Sequence, residues 1–242
     1  MKLRREAPTP LYLQLKKALI ADIDAGQYKP HERLMSEREL GEKFKVSRMT
    51  VRQALIEMIR EGILYTQVGK GTYVRDSKIK QELQTLTGFS QDMAARGAVA
   101  SGQVLDARII PATLTLAAIF SVPMNTEIVL LSRLRLSDGT PLAIEEAHVL
   151  HQVCPGILEY DFSKESLYNI LATRYNTILV RGEQTMEASQ ASPKEAELLQ
   201  ITSPSPVLRI ERLSYNELNM LVEYVKSTYR GDRYKFHTTL QP

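Results

Sequence analysis

The chain has 242 residues, 31 Lys+Arg against 28 Asp+Glu, 43% apolar and 24% charged residues, no Trp and one Cys. These proportions exclude wholesale disorder and leave room for two hydrophobic cores. No run approaches the roughly 20 apolar residues that span a bilayer, and the basic N-terminus has no apolar stretch behind it, so no signal peptide is expected.

The lone Cys154 can make neither an internal disulfide nor a zinc cluster, which suits a reducing cytoplasm. Charge is uneven. Residues 1–76 hold 15 Lys+Arg and 10 Asp+Glu, a balance of +5, while residues 77–242 hold 16 and 18, a balance of −2. A small basic N-terminal part is expected to meet a polyanion while the rest does something else.

Leu11, Leu15, Leu19 and Ile23 recur at i+4 steps after Pro8 and Pro10, which predicts a one-faced helix ending at Gly26. Ser36-Glu37-Arg38-Glu39 reads as a capping box opening a short helix to Phe44. Val46-Ser47 is a tight connection, and a longer helix runs from it to Glu61-Gly62. Strands are expected on either side of the glycine turn Gly69-Lys70-Gly71. Three helices, two joined by a short turn, and a hairpin form a winged helix-turn-helix, assigned to residues 1–75.

At 100° per residue, Val51, Ala54, Leu55, Met58 and Ile59 form the inner stripe of the third helix. Met49, Arg52, Gln53, Ile56 and Arg60 point outward, Thr50 lies at the border, and Arg48 falls off the outward arc. Arg suits guanine and Gln suits adenine in a major groove. Lys70 between two glycines suits close approach to a minor groove.

Pro10-Leu11-Tyr12, Leu34-Met35-Ser36-Glu37-Arg38-Glu39-Leu40, Ser47-Arg48-Met49-Thr50-Val51-Arg52-Gln53-Ala54-Leu55, Gly62-Ile63-Leu64 and Gly69-Lys70-Gly71-Thr72-Tyr73-Val74 resemble the DNA-binding domain of GntR-family bacterial transcription regulators. Met35 departs from the Pro usual there, which loosens the entry turn without touching a DNA contact. The resemblance implies that Arg38, Arg48, Thr50, Arg52 and Gln53 read a half-site and that Lys70 and Gly71 meet the minor groove.

Residues 76–88 read as a linker, and an α+β domain follows at 89–242. Strands are expected at 103–109, 127–136, 142–150, 178–187, 207–215 and 221–229, and helices at 91–96, 114–120, 164–175 and 193–199. Neighbouring strands with inserted helices suggest an antiparallel sheet. Arg133 and Arg135 share one strand face, where two guanidiniums repel unless solvated or joined by an anion. A two-residue turn after them would put Glu145 opposite Ser132, whereas a three-residue loop Asp138-Gly139-Thr140 would put it opposite Arg133. Sequence leaves both open. Ser90 stands at the start of one helix and Ser166 in the first turn of another, where free N–H groups bind anions.

No nucleophile with a base or metal-ligand set stands out. Of the four histidines only His148 and His151 are closely spaced, and Cys154 has no basic neighbour. No enzyme, cofactor or metal is expected.

Leu86-Thr87-Gly88-Phe89-Ser90-Gln91-Asp92-Met93, Arg133-Leu134-Arg135, Ser166-Leu167-Tyr168 and Glu223-Tyr224 through Phe236 are similar to the effector domain of the HutC subfamily, a unit of chorismate-lyase fold. The similarity is greatest to the regulators of amino-sugar use. It implies that Ser90, Arg133, Arg135, Ser166 and Tyr168 hold a phosphate and that Glu145, Glu223 and Tyr229 read the sugar. It favours the three-residue hairpin register.

The expected protein is a homodimeric, ligand-responsive repressor that binds a pseudo-palindromic double-stranded operator and no membrane. Its expected effector is a small anion such as glucosamine 6-phosphate or N-acetylglucosamine 6-phosphate. Another sugar phosphate, urocanate or a phosphonate is the alternative effector, and a lyase-like enzyme the remote one.

Overall fold

The computed structural model describes residue 3, residues 8–75 and residues 78–240. The chain divides into two compact units, Met1–Ser77 and Lys78–Pro242.

In the first unit, α1 (Leu11–Asp24), α2 (Glu37–Phe44) and α3 (Arg48–Arg60) precede β1 (Leu64–Gln67) and β2 (Gly71–Val74). The i+4 leucines of α1 face the inner stripe of α3, and Leu15, Leu19, Leu40, Val51, Ala54 and Met58 are fully buried together. The capping box forms: the Ser36 hydroxyl accepts from the Glu39 amide at 3.3 Å, and Glu39 accepts from the Ser36 amide at 2.8 Å. Lys45 closes α2 in the left-handed region at φ 54°, and Ser47 caps α3 two residues later. That spacing makes the turn between the two helices tight. Residues 31–34 pair with β2, Leu34 donating to Thr72 O and Val74 to Glu32 O, so the wing has a third short member.

The second unit is built on a six-stranded antiparallel sheet in the order β4 (Ala100–Pro111), β5 (Glu127–Ser137), β6 (Thr140–Leu150), β9 (Leu221–Arg230), β8 (Pro206–Asn216), β7 (Leu179–Gln190). Strand alternation divides its apolar residues between two faces. Leu131, Ala147 and Val225 pack against α6 (Leu167–Arg174), and Ala143, Ile210 and Tyr229 against α4 (Phe89–Ala94). On the opposite face Ile128, Leu150 and Tyr224 meet α5 (Leu114–Phe120), and Leu134 and Val207 meet α7 (Pro193–Leu199).

Three expectations are corrected. The 76–88 segment is not simply a linker: Ile79–Glu82 form strand β3, paired in parallel with β10 (Tyr234–His237), while residues 76 and 77 lie outside the described residues. Helix α4 starts at Phe89, not residue 91, because the Gln91 side chain accepts from the Gly88 amide at 2.9 Å and sets the cap there. Helix α6 starts at Leu167, not residue 164, because Ser166 is its N-cap. Ser90 therefore sits within a first turn and Ser166 at a cap, the reverse of the sequence expectation. Among the described residues no helix is long and apolar enough to cross a membrane.

Candidate functional site

Two places gather the sequence-derived residues, one in each unit. In the second unit, Arg133 and Arg135 project from the same face of β5 and are each only 3% exposed. Asp138 (φ 47°) and Gly139 (φ 78°) form a two-residue turn with both centres at positive φ, where Asp-Gly is favoured. The ladder then slips: Leu136 faces Pro141 but Arg135 faces Ala143, so Leu142 is a bulge. The extra residue moves β6 by one and brings Glu145 opposite Arg133. The register implied by the resemblance is present, but a bulge produces it instead of a three-residue loop.

The Glu145 carboxylate accepts a hydrogen bond from Arg133 Nη2. Arg135 Nη2 donates to Ser90 Oγ at 2.9 Å, and its guanidinium lies 4.7 Å from the Phe89 ring centre. Burial, with Arg133 alongside, lowers Arg135 to about 10, although Glu145 works the other way. Burial pushes the Glu145 carboxyl up, but Arg133 and Arg135 outweigh it and hold the group below its ordinary value.

Across the pocket, Glu223 Oε2 accepts from Tyr168 Oη and Ser214 Oγ, both at 2.8 Å. Burial raises the Glu223 carboxyl, and Arg212 and these hydrogen bonds offset only part of that. Burial next to Glu223 likewise raises the Tyr168 phenol. Gly88 lets this tyrosine come close, since a Cβ there would stand 3.3 Å from the ring.

Together Ser90, Arg133, Arg135, Glu145, Ser166, Tyr168 and Glu223 line one narrow pocket, whose enclosed space is about 10 Å³. Tyr229 does not line it. Its ring packs 4.6 Å from Tyr234 in an aromatic cluster with Phe236. Sequence reasoning missed Arg212, whose guanidinium lies over Tyr168 at 5.7 Å and donates to the Thr87 carbonyl at 3.4 Å. Its signal was the strand alternation that turns Arg212 away from Arg209 and Glu211. The Nε atoms of Arg133, Arg135 and Arg212 are buried without a hydrogen-bond partner among the described residues. Three guanidiniums facing two carboxylates, one of them raised, make a cavity suited to an anion.

In the first unit, Arg48, Arg52 and Gln53 are exposed on the N-terminal half of α3. Arg48, which ideal spacing turned away, is exposed because it directly follows the Ser47 cap and has no preceding turn beside it. Thr50 is half-buried, its hydroxyl 2.9 Å from Ser47 Oγ. Arg52 is clamped by Glu37, with Nε to Oε1 at 3.0 Å and Nη2 to Oε2 at 2.9 Å. Arg38 is exposed on α2 with Glu42 at 3.5 Å. Lys70 is exposed at the wing tip, and Gly71 has φ 122°, with the Arg33 side chain lying across it.

Among the described residues no three His, Cys, Asp or Glu side chains stand close enough to hold a metal. Burial pushes the Cys154 thiol up to about 12, so it stays protonated and unreactive. His148 is buried and stacked on Tyr224, while His151 pairs with Glu127 at 2.7 Å.

A winged helix-turn-helix with an exposed basic helix, followed by an α+β unit carrying an anion-suited pocket, defines a DNA-binding transcription regulator with a ligand-sensing domain. Residues 11–74 match the bacterial regulatory proteins of the gntR family and residues 95–235 match the UTRA domain, and the chain belongs to this family of regulators, in its HutC-type branch. It is 39% identical to the HTH-type transcriptional repressor NagR of Bacillus subtilis over 98% of this chain and 97% of that protein. It is 32% identical to the histidine utilization repressor of Pseudomonas putida over 87% of this chain and 84% of that one. The crystal structure of PhnF from Mycobacterium smegmatis superposes with a TM-score of 0.76 at 27% identity, covering 94% of this chain and 99% of that chain. These relatives are transcription regulators, not enzymes.

Proposed function

We propose that the chain is a homodimeric cytoplasmic repressor whose operator affinity is set by a phosphorylated amino sugar bound in the Arg133–Arg135 pocket. The observation that carries this reading is the pair of 3%-exposed guanidiniums on one strand face, of which only Arg133 is bonded to a carboxylate, Glu145, while Arg135 reaches Ser90. A dianionic phosphate supplies the missing counter-charge and acceptors for the guanidinium N–H groups. The resemblance to regulators of amino-sugar use supports the sugar, and similarity to named repressors supports the sign of regulation. A monoanion such as urocanate would engage one arginine and leave the other uncompensated.

On DNA, two α3 helices related by a two-fold axis would read half-sites about one helical turn apart. Arg38, Arg48, Thr50, Arg52 and Gln53 serve the half-site, and Lys70 and Gly71 the minor groove. The effector acts by binding the DNA-competent and DNA-incompetent states with different affinity.

The test is a titration of a fluorescent palindromic operator with glucosamine 6-phosphate, N-acetylglucosamine 6-phosphate and the unphosphorylated sugars. The reading expects only the phosphorylated amino sugars to change affinity. If DNA binds and no sugar phosphate matters, the effector assignment falls and the regulator remains.

A further inference from the structure

Base reading by an arginine demands that a long, flexible side chain present its donors at a fixed angle, and rotamer freedom works against that. Arg52 is 58% exposed on α3, yet its guanidinium is fixed by a residue of another helix. Glu37 is the first residue of α2, so its carboxylate also meets the positive end of that helix. It takes the guanidinium side-on, through Nε and Nη2. Nη1 bonds to nothing among the described residues. A guanidinium has five N–H groups in a planar fork. Side-on capture uses one edge and leaves the end-on pair, one N–H on Nη1 and one on Nη2, directed away from the carboxylate. End-on donors are what guanine O6 and N7 accept.

We propose that Glu37 is a positioning residue for sequence recognition, holding Arg52 so that its end-on donors meet a guanine in the major groove. The proposal rests on the reading of Arg52 as a base contact. A purely structural α2–α3 ion pair would act differently. Exposed pairs contribute little stability, so Glu37→Gln keeps the fold. It also removes a negative charge from a surface that faces phosphates, which leaves non-specific binding unchanged or tighter. A positioning role therefore gives opposite signs on cognate and scrambled DNA, and a structural role does not.

The experiment uses the full chain and a duplex selected by it from a randomised palindromic library. Affinities are measured for this duplex and a scrambled one with the wild type, Glu37→Gln, Arg52→Ala and the double variant. Glu37→Gln is expected to weaken the selected duplex about tenfold, to leave scrambled DNA equal or tighter, and to add nothing once Arg52 is alanine. Equal loss on both duplexes, no loss on the selected one, or a loss that persists without Arg52 would overturn the role of Glu37. If Arg52→Ala itself weakens both duplexes equally, base reading by Arg52 falls, and the positioning role falls with it.

Discussion

Glu145 faces Arg133 because Leu142 is squeezed out of the β6 ladder. The bulge converts the register of a two-residue Asp-Gly turn into one that joins an acid to a base inside the sheet face. Without it, Ser132 would stand opposite Glu145, and Arg133 would lie buried beside Arg135 with no carboxylate across from it.

Removing one partner of this pair should be costly. Glu145→Ala is expected to destabilise the second unit by about 3 kcal/mol, because it strands a buried guanidinium. In a double-mutant cycle with Arg133→Ala the losses should fall short of additive. Denaturant unfolding of the four proteins checks this, and additive losses would mean the two side chains are not coupled.

The arginine pair can be separated from DNA binding. Arg135→Lys keeps a charge but replaces the planar fork that now reaches Ser90. Effector affinity should drop by about tenfold or more, since a charge-assisted bond is worth about 1.5–3 kcal/mol. Operator affinity without effector should match the wild type. Calorimetry with the sugar phosphate and a gel shift without it read the two effects.

Acid stability has a identifiable contributor at Glu195. Burial raises this carboxyl, but bonds from Arg209 and from the Ser192 cap outweigh burial and lower it to about 2, against an ordinary 4.5. Its contribution is therefore complete above pH 4.5 and is lost as pH falls toward 2. Glu195→Gln should be less stable than the wild type at pH 6 and lose less on going to pH 3. Denaturation midpoints at the two pH values decide it, and parallel losses would rule Glu195 out.

At the wing, Gly71 combines φ 122° with the Arg33 side chain at 2.9 Å from where a Cβ would lie. Gly71→Ala should lower the stability of the first unit by roughly 1–2 kcal/mol. It should also weaken DNA binding regardless of sequence, as a wing contact would. Adding Arg33→Ala relieves the clash but not the backbone strain, so only part of the stability should return in thermal unfolding.

Much of the first unit was legible because its signals are local. The capping box at Ser36, the cap at Ser47 and the i+4 leucines of α1 lie within a few residues of what they determine. In the second unit the main strands were legible from alternation, but β3 was not. Ile79-Lys80-Gln81-Glu82 is short and polar, and its partner Tyr234–His237 lies about 155 residues away. The Leu142 bulge carries no local marker, so the position of Glu145 needed the structure. Arg212 was hidden in the run Arg209-Ile210-Glu211-Arg212, which reads as surface charge until strand pairing shows which of its members turn inward. Tyr229 was named through a resemblance; its ring belongs to the apolar packing beneath α4, and burial with Glu145 nearby raises its phenol.

The β3–β10 ladder closes the second unit on itself, joining its first strand to its last. The pairing is parallel, so the chain enters at one end of this short ladder and leaves at the other, about 13 Å along it, and the domain has a seam instead of two loose ends. Such a body tolerates having its termini joined and new ones cut at an exposed loop. The Asn216–Asn219 tip of the β8–β9 hairpin is a suitable place to reopen it.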